Sequence, residues 1–330
     1  MNVSITIVGQ GIAGTMLGAA CERAGIDFEV IDAGHAEAAS RVGAGLVSPL
    51  TGRRLVPTWR FTEWRDHVWE IYRHWESELG LSLVRELKVH RRFCDRAQRL
   101  SFESRCAVPE VARWVADQDE DGLWLRGALQ VETGQLIRAM RQRWQRAGRL
   151  TEAKLDPAAD HGPSRPTIWC VGGAVAAALD LPWQPSRGEL IRGYMAGLDP
   201  DTVRNDGHWL LPSASGEVRV GSTFDRHKLD LETTVAGQSE LAAAAERLGG
   251  QMLQQARGDV GLRVTVPDRR PVVGWWNANQ TKGVLGGMAA KGALWAPMLA
   301  QQWCEDRMIG AKLDTEARVE RFPAARPGLL

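Results

Sequence analysis

Three features within the first 32 residues predict an α/β protein: an apolar strand, a glycine turn that opens a helix, and a second strand that ends in an acid. Residues Val3 to Val8 are mostly β-branched, as suits a strand buried on both faces of a parallel sheet. Gly9, Gln10, Gly11, Ile12, Ala13 and Gly14 follow at once, and Thr15 to Ala24 reads as a helix. In such a turn Gly9 supplies the tight bend, Gly11 lets the backbone approach a pyrophosphate, and Gly14 lets helix and strand pack closely. The helix N-terminus, with Ile12 and Ala13, then offers unpaired N–H groups to the phosphates. Phe28 to Ile31 forms the second strand, and Asp32 stands 18 residues after Gly14, where a carboxylate accepts hydrogen bonds from an adenosine ribose. The whole unit predicts a Rossmann-like dinucleotide-binding domain; by itself it leaves FAD and NAD open.

A chain of 330 residues has room for two domains. With 44% hydrophobic residues, 25% charged residues and a formal charge of +1, the composition is that of an ordinary globular protein. Net charge therefore argues against a nucleic-acid or membrane partner. Five scattered cysteines without a CxxC pair argue against a disulfide framework and a structural zinc site, and seven histidines show no metal spacing, so no metal is expected. Without a basic leader or an apolar run of about 20 residues, the expected location is the cytoplasm.

The later segments separate the two cofactors. Ala39 to Pro49 is a small-residue loop, containing Ser40, Arg41, Ala44, Gly45 and Leu46, able to lie against a flat ligand. Thr167 to Val171 reads as a buried strand ending in Gly172 and Gly173, a second point of close backbone approach. Gly261 to Gly274 and Gly286 to Pro297 follow, the latter placing Gly287, Met288, Lys291, Gly292 and Ala293 at the start of a final helix. Its dipole could stabilise negative charge on a reduced flavin. In this order the segments resemble the D-amino-acid oxidase superfamily of FAD-dependent oxidoreductases, the group that contains glycine oxidase and sarcosine oxidase.

That resemblance implies non-covalently bound FAD in a Rossmann-like domain of the glutathione-reductase type, made from residues 1–80, 127–180 and 260–330. It implies an inserted substrate domain, residues 81–126 and 181–259, on a mixed or antiparallel sheet. Trp209 to Leu211 and Val218 to Val220 flank a polar turn suited to a hairpin, and Ser239 to Gln255 has helical spacing that Gly249 and Gly250 interrupt. Trp64, Val68, Ile71, Tyr72 and Trp75 fall on one helical face and read as core. The β-meander that family members carry before Thr167 is reduced here to Leu150 to Asp156 and a Pro/Gly stretch, which leaves the adenine contact open.

Oxidation of an amine by hydride transfer to flavin N5 asks the protein chiefly to position carbon and exclude water. A substrate carboxylate needs a fixed cation, for which arginine's planar fork is suited. By the resemblance Arg263 takes that role, the alternative being an arginine paired to an acid such as Asp268. Lys291 would reach the flavin pyrimidine edge, or be a solvated helix-end lysine. Arg219 matches a sarcosine-oxidase lysine that assists oxygen, or is a plain strand-surface arginine. The position at which glycine oxidase has a second carboxylate-binding arginine is Ala290 here, which favours a bulkier amine. Arg53 and Arg54 are further candidates for cofactor or substrate contact. The expected activity is oxidation of an amine or amino acid with oxygen as acceptor. The stretch Lys291 to Pro297 is also similar to the flavin domain of bacterial tRNA-uridine-modifying enzymes, although no basic stripe beyond Arg91–Arg92 and Arg138–Arg149 supports RNA binding. A third alternative is a flavoprotein that passes electrons to a partner. Oligomeric state is not legible.

Overall fold

A computed structural model describes residues 4–34, 38–52, 54–156, 165–170, 172–173, 181–275, 277, 279–309 and 313–322. The first strand, Ser4–Val8, lies parallel between Asp27–Asp32 and Thr167–Trp169, and all but its first residue are buried. From edge to edge this six-stranded sheet runs Val272–Trp275, Lys282–Gly286, Thr167–Trp169, Ser4–Val8, Asp27–Asp32 and Leu150–Glu152. Only the pairing of Val272–Trp275 with Lys282–Gly286 is antiparallel, so the sheet has the parallel interior that the apolar strands predict. Of the shortened meander, Leu150–Glu152 is the strand observed among the described residues.

The turn helix Ile12–Ala24 begins three residues earlier than its spacing alone predicts and packs against the final helix, Gly292–Ile309. Phe61–Leu79 lays Phe61, Trp64, Val68, Ile71, Tyr72 and Trp75 into the same core, as their helical spacing predicts. Two polar contacts fix that helix. The Tyr72 hydroxyl donates to the Ala293 carbonyl (2.8 Å), and buried Glu76 accepts from the N–H groups of Leu83 (2.6 Å) and Val84 (2.9 Å). The helix thereby joins the final helix to the strand Val84–Arg92.

A second sheet of nine strands runs Gln254–Thr265, Gln184–Tyr194, Glu217–Gly221, Trp209–Pro212, Thr202–Asn205, Val84–Arg92, Gly122–Val131 and Leu46–Val47, with Val115–Gln118 also paired to Gly122–Val131. It is mixed: Thr202–Asn205 is parallel to Val84–Arg92 and the other pairs are antiparallel. The expected hairpin is present, Trp209–Pro212 turning through Gly216 into Glu217–Gly221. One part of the sheet is covered by the helix Val235–Gly249, whose Leu241, Ala244, Ala245 and Leu248 meet Ile191, Leu210, Val218 and Val220. This helix starts earlier than expected, because Thr234 caps it by accepting from the Gly237 N–H (3.0 Å). It ends where Gly250 takes a left-handed conformation, so the glycine pair terminates the helix instead of interrupting it. Another part is covered by Arg96–Cys106, by Pro109–Ala112 and by the short hairpin Leu50–Thr51/Val56–Pro57.

The expected boundaries at 126/127 and 259/260 fall inside the strands Gly122–Val131 and Gln254–Thr265. We therefore propose a division by sheet, with the six-stranded sheet as cofactor domain and the nine-stranded sheet as substrate domain. Gly45 sits where the two meet. Its φ is +66°, its carbonyl accepts from the Val131 N–H (3.0 Å), and a Cβ there would land on the Val131 carbonyl oxygen. Gly45→Ala should therefore lower stability by about 2–4 kcal/mol. Thermal unfolding tests this, and an unchanged midpoint would contradict the strain.

Candidate active site

The glycine turn is held on three sides. The Gly9 N–H donates to the Ile31 carbonyl (2.8 Å), and Gly9 adopts φ +95°. A Cβ on Gly14 would land on the Gly9 carbonyl oxygen, so the helix can approach the strand only with glycine here. The Ser40 hydroxyl accepts from the Ile12 N–H (3.0 Å), and the Thr133 hydroxyl donates to the Ser40 carbonyl (2.6 Å). These bonds bring the small-residue loop onto the turn. A Cβ on Gly11 would make only an ordinary van der Waals contact, with the Ser40 hydroxyl oxygen at 3.5 Å. The N-cap residue is Gly11, which has no side chain to cap the helix, and the first turn has no acid, which suits an anionic pyrophosphate. No acid among the described residues pairs with the Arg41 side chain, which leaves a cation beside the turn.

Asp32 lies at the end of its strand, buried, as the spacing predicts. It accepts from the Gln10 N–H (2.6 Å), the Gly34 N–H (3.1 Å) and the Arg141 guanidinium (2.9 Å). Among the described residues Oδ2 meets Gln10 alone, which leaves acceptor capacity for a ribose hydroxyl. Arg141 also donates to Gln10 Oε1 (3.0 Å) and Glu152 (2.8 Å), tying the acid to the shortened meander. Sequence reading missed Arg141, which sits within a basic run on the helix Thr133–Arg146; a buried arginine there carries no distinct spacing signal.

Gly173 makes a close approach, but to protein: its Cβ position lies 2.6 Å from the Leu262 Cβ, so it admits the strand Gln254–Thr265. Gly172 is open. Gly287 adopts φ +69°, Met288 and Ala293 are buried, and a Cβ on Gly292 would fall 2.6 Å from the Ile12 side chain. The final helix thus begins against the glycine turn. Ala44 is buried and Leu46 pairs with Gln130, which carries the loop into the second sheet.

Register shows what the second sheet presents to this cradle. Ser186 faces Arg263, Gly188 faces Gly261, Leu190 and Trp209 face Gly221, and Arg192 and Leu211 face Arg219. Residues opposite one another or two apart share a face, so Arg263, Gly261, Trp209 and Arg219 lie together. A Cβ on Gly261 would lie 3.1 Å from the Ala39 Cα, so this face is turned toward the loop bearing Ser40. Val218 and Val220 point the other way, into the helix Val235–Gly249.

Arg263 makes no ion pair among the described residues. It donates to the Ser222 hydroxyl (3.1 Å) and to the carbonyls of Thr223 (2.8 Å) and Arg187 (3.3 Å), its Nε is buried without a partner, and Phe224 lies 5.5 Å from it. Burial pulls its pKa downward. Asp268, its expected alternative partner, is held by Arg321 (2.7 Å). Lys291 also lacks an acidic partner among the described residues: its amine sits 5.7 Å from the Trp295 ring, and burial, then the charge of Arg269, pull its pKa below the ordinary lysine value. Arg219, by contrast, pairs with Glu132 (3.0 Å). Trp209 and Phe224, on or beside this face, were not singled out as site residues from sequence. Arg53 lies outside the described residues, and Arg54 lines a separate pocket.

Of the basic segments, Arg91 is buried, Arg143 pairs with Glu22 (2.6 Å) and Arg149 stacks 4.9 Å from the Phe28 ring. Among the described residues no helix is long and apolar enough to cross a membrane, and no cluster of three or more metal-ligating side chains is present.

Comparison with known proteins follows the same lines. The chain is 27% identical over 322 residues to the tRNA 5-methylaminomethyl-2-thiouridine biosynthesis bifunctional protein MnmC of Maricaulis maris, covering 93% of this chain and 52% of that protein. It thus spans about half the length of that relative. It is 23% identical to glycine oxidase of Pseudomonas aeruginosa, covering 83% of this chain and 86% of the other. Among solved structures, iminodiacetate oxidase from Chelativorans sp. BNC1 superposes with TM-score 0.77 at 20% identity over 96% of this chain and 98% of that one. Glycine oxidase from Geobacillus kaustophilus gives 0.77 at 16% identity over 94% and 98%. The family described as DAO, FAD dependent oxidoreductase, matches residues 4–305. The chain belongs to the DAO family of FAD-dependent oxidoreductases.

Proposed function

We propose that the chain oxidises the C–N bond of a small amine or amino acid bearing an anionic group, with oxygen as the acceptor. The observation that carries this reading is Arg263, a guanidinium held by a hydroxyl and two carbonyls, without an acid, on the sheet face turned toward the glycine-turn loop. FAD, when bound, supplies the acceptor for the substrate's hydride.

The residues of the chain do the positioning. The N-terminus of the helix Ile12–Ala24 holds pyrophosphate, Asp32 holds ribose, and the residues from Gly287 to Ala293 hold the flavin ring. Arg263 binds the substrate anion through its fork, and Lys291 places a second positive charge on the cofactor side. Trp209 and Phe224 narrow the space between and exclude water, which strengthens both charges. Arg219, neutralised in part by Glu132, orders the same face and stands as a proposed aid to oxygen reactivity.

A second reading places the scissile bond on a modified tRNA uridine. It is favoured by the similarity to MnmC across 93% of this chain. Anaerobic mixing of the FAD-loaded protein with amines, amino acids and modified nucleosides separates the readings. Bleaching of the flavin by carboxylate-bearing amines is expected, and bleaching by modified nucleosides alone would overturn the first reading. In the same assay Arg263→Ala should raise KM about 10- to 100-fold, the worth of a charged hydrogen bond, while FAD stays bound; an unchanged KM would remove Arg263 from the site.

The depressed pKa of Lys291 has a definite sign. Its amine loses its proton, and its hold on an anion, at a lower pH than an exposed lysine would. KM for a carboxylate substrate should therefore climb with pH below the ordinary lysine range. Lys291→Arg should flatten the climb, because guanidinium stays charged; superimposable profiles would contradict the assignment.

A further inference from the structure

A pocket of about 290 Å³ lies between the hairpin Leu50–Thr51/Val56–Pro57 and the helix Arg96–Cys106, lined by Arg54, Val56, Ser101 and Arg105. It shares no lining residue with the face that carries Arg263. Ser101 and Arg105 are four residues apart on one helix face, and Arg54 approaches from the hairpin. No acid among the described residues pairs with either arginine, and the Nε of Arg105 is buried without a hydrogen-bond partner.

A third cation reinforces the pocket from behind. Buried Arg91 donates to the Gly52 carbonyl (2.8 Å) and to Asn205 (2.6 Å), forms no ion pair among the described residues, and also has an unpartnered Nε. Three guanidiniums therefore surround one hairpin with no ion-paired carboxylate among the described residues. Arg91 is buried, Arg105 is half-buried and Arg54 is exposed, so the pocket is an open cationic site with a buried charge beside it. Donors from two walls and a hydroxyl between them suit a tetrahedral oxyanion better than a flat carboxylate, which one arginine fork satisfies alone.

We propose that this pocket is a binding site for a phosphate-class oxyanion, held by Arg54, Arg105 and Ser101 and separate from the oxidation site. Free phosphate and a phosphodiester both present anionic non-bridging oxygens, and the experiment distinguishes them.

Calorimetric titration of the FAD-loaded protein at low ionic strength uses two probes: inorganic phosphate and a short single-stranded RNA. Phosphate is expected to bind, with affinity at least tenfold lower in Arg105→Gln and lost in Ser101→Asp, which sets a like charge in the pocket. Retention of the flavin spectrum in both variants separates loss of binding from loss of folding. If RNA also binds and phosphate competes with it, the source is a phosphodiester; if phosphate binds and RNA does not, it is a small phosphate compound. Wild-type protein that binds neither probe, or binding equally strong in Arg105→Gln and Ser101→Asp, would overturn the site.

Discussion

The close approach of Gly14 to the Gly9 carbonyl is the constraint on which the cofactor cradle depends. Because no side chain stands between them, the helix Ile12–Ala24 starts directly beneath the first strand, and its free N–H groups face the mouth of the turn. Two other elements close on the same point. The Ser40 hydroxyl reaches the Ile12 N–H, and Gly292 lets the final helix begin against the Ile12 side chain. A residue with a Cβ at Gly14 would push the turn from its strand and unseat both neighbours.

The second sheet is organised by which of its charges are answered. Arg187 and Glu189 are a buried pair (2.9 Å), and Glu189 further accepts from Thr234 and Gln238, so the carboxylate of this ion pair is well satisfied. Arg187 also exchanges backbone bonds with Asp225, which fixes the segment bearing Ser222, Thr223 and Phe224. The atoms that hold Arg263 are therefore held themselves. Paired charges build the frame, whereas Arg263, Lys291, Arg54, Arg91 and Arg105 have no ion-paired acid among the described residues.

The sequence made the first 32 residues legible because each step there has a local cause: β-branched runs make strands, glycines make the turn, and Asp32 falls at a fixed distance. The packed face of Phe61–Leu79 was legible for the same reason, its period matching the helix. Gly173 shows the limit, since a glycine admitting a neighbouring strand looks the same in sequence as one admitting a ligand. Arg141 was hidden because its partners, Asp32 and Glu152, meet it only through the fold. The expected domain boundaries at 127 and 260 fall within strands of the nine-stranded sheet, where no break in composition marks a strand limit.

The most direct measurement of the central claim is FAD affinity in Gly292→Ala, followed by flavin fluorescence, with circular dichroism reporting the fold. A Cβ at this position falls 2.6 Å from the Ile12 side chain, so the closure of the final helix on the turn should be lost. The account predicts FAD binding at least tenfold weaker with secondary structure retained. Wild-type affinity in that variant would contradict it.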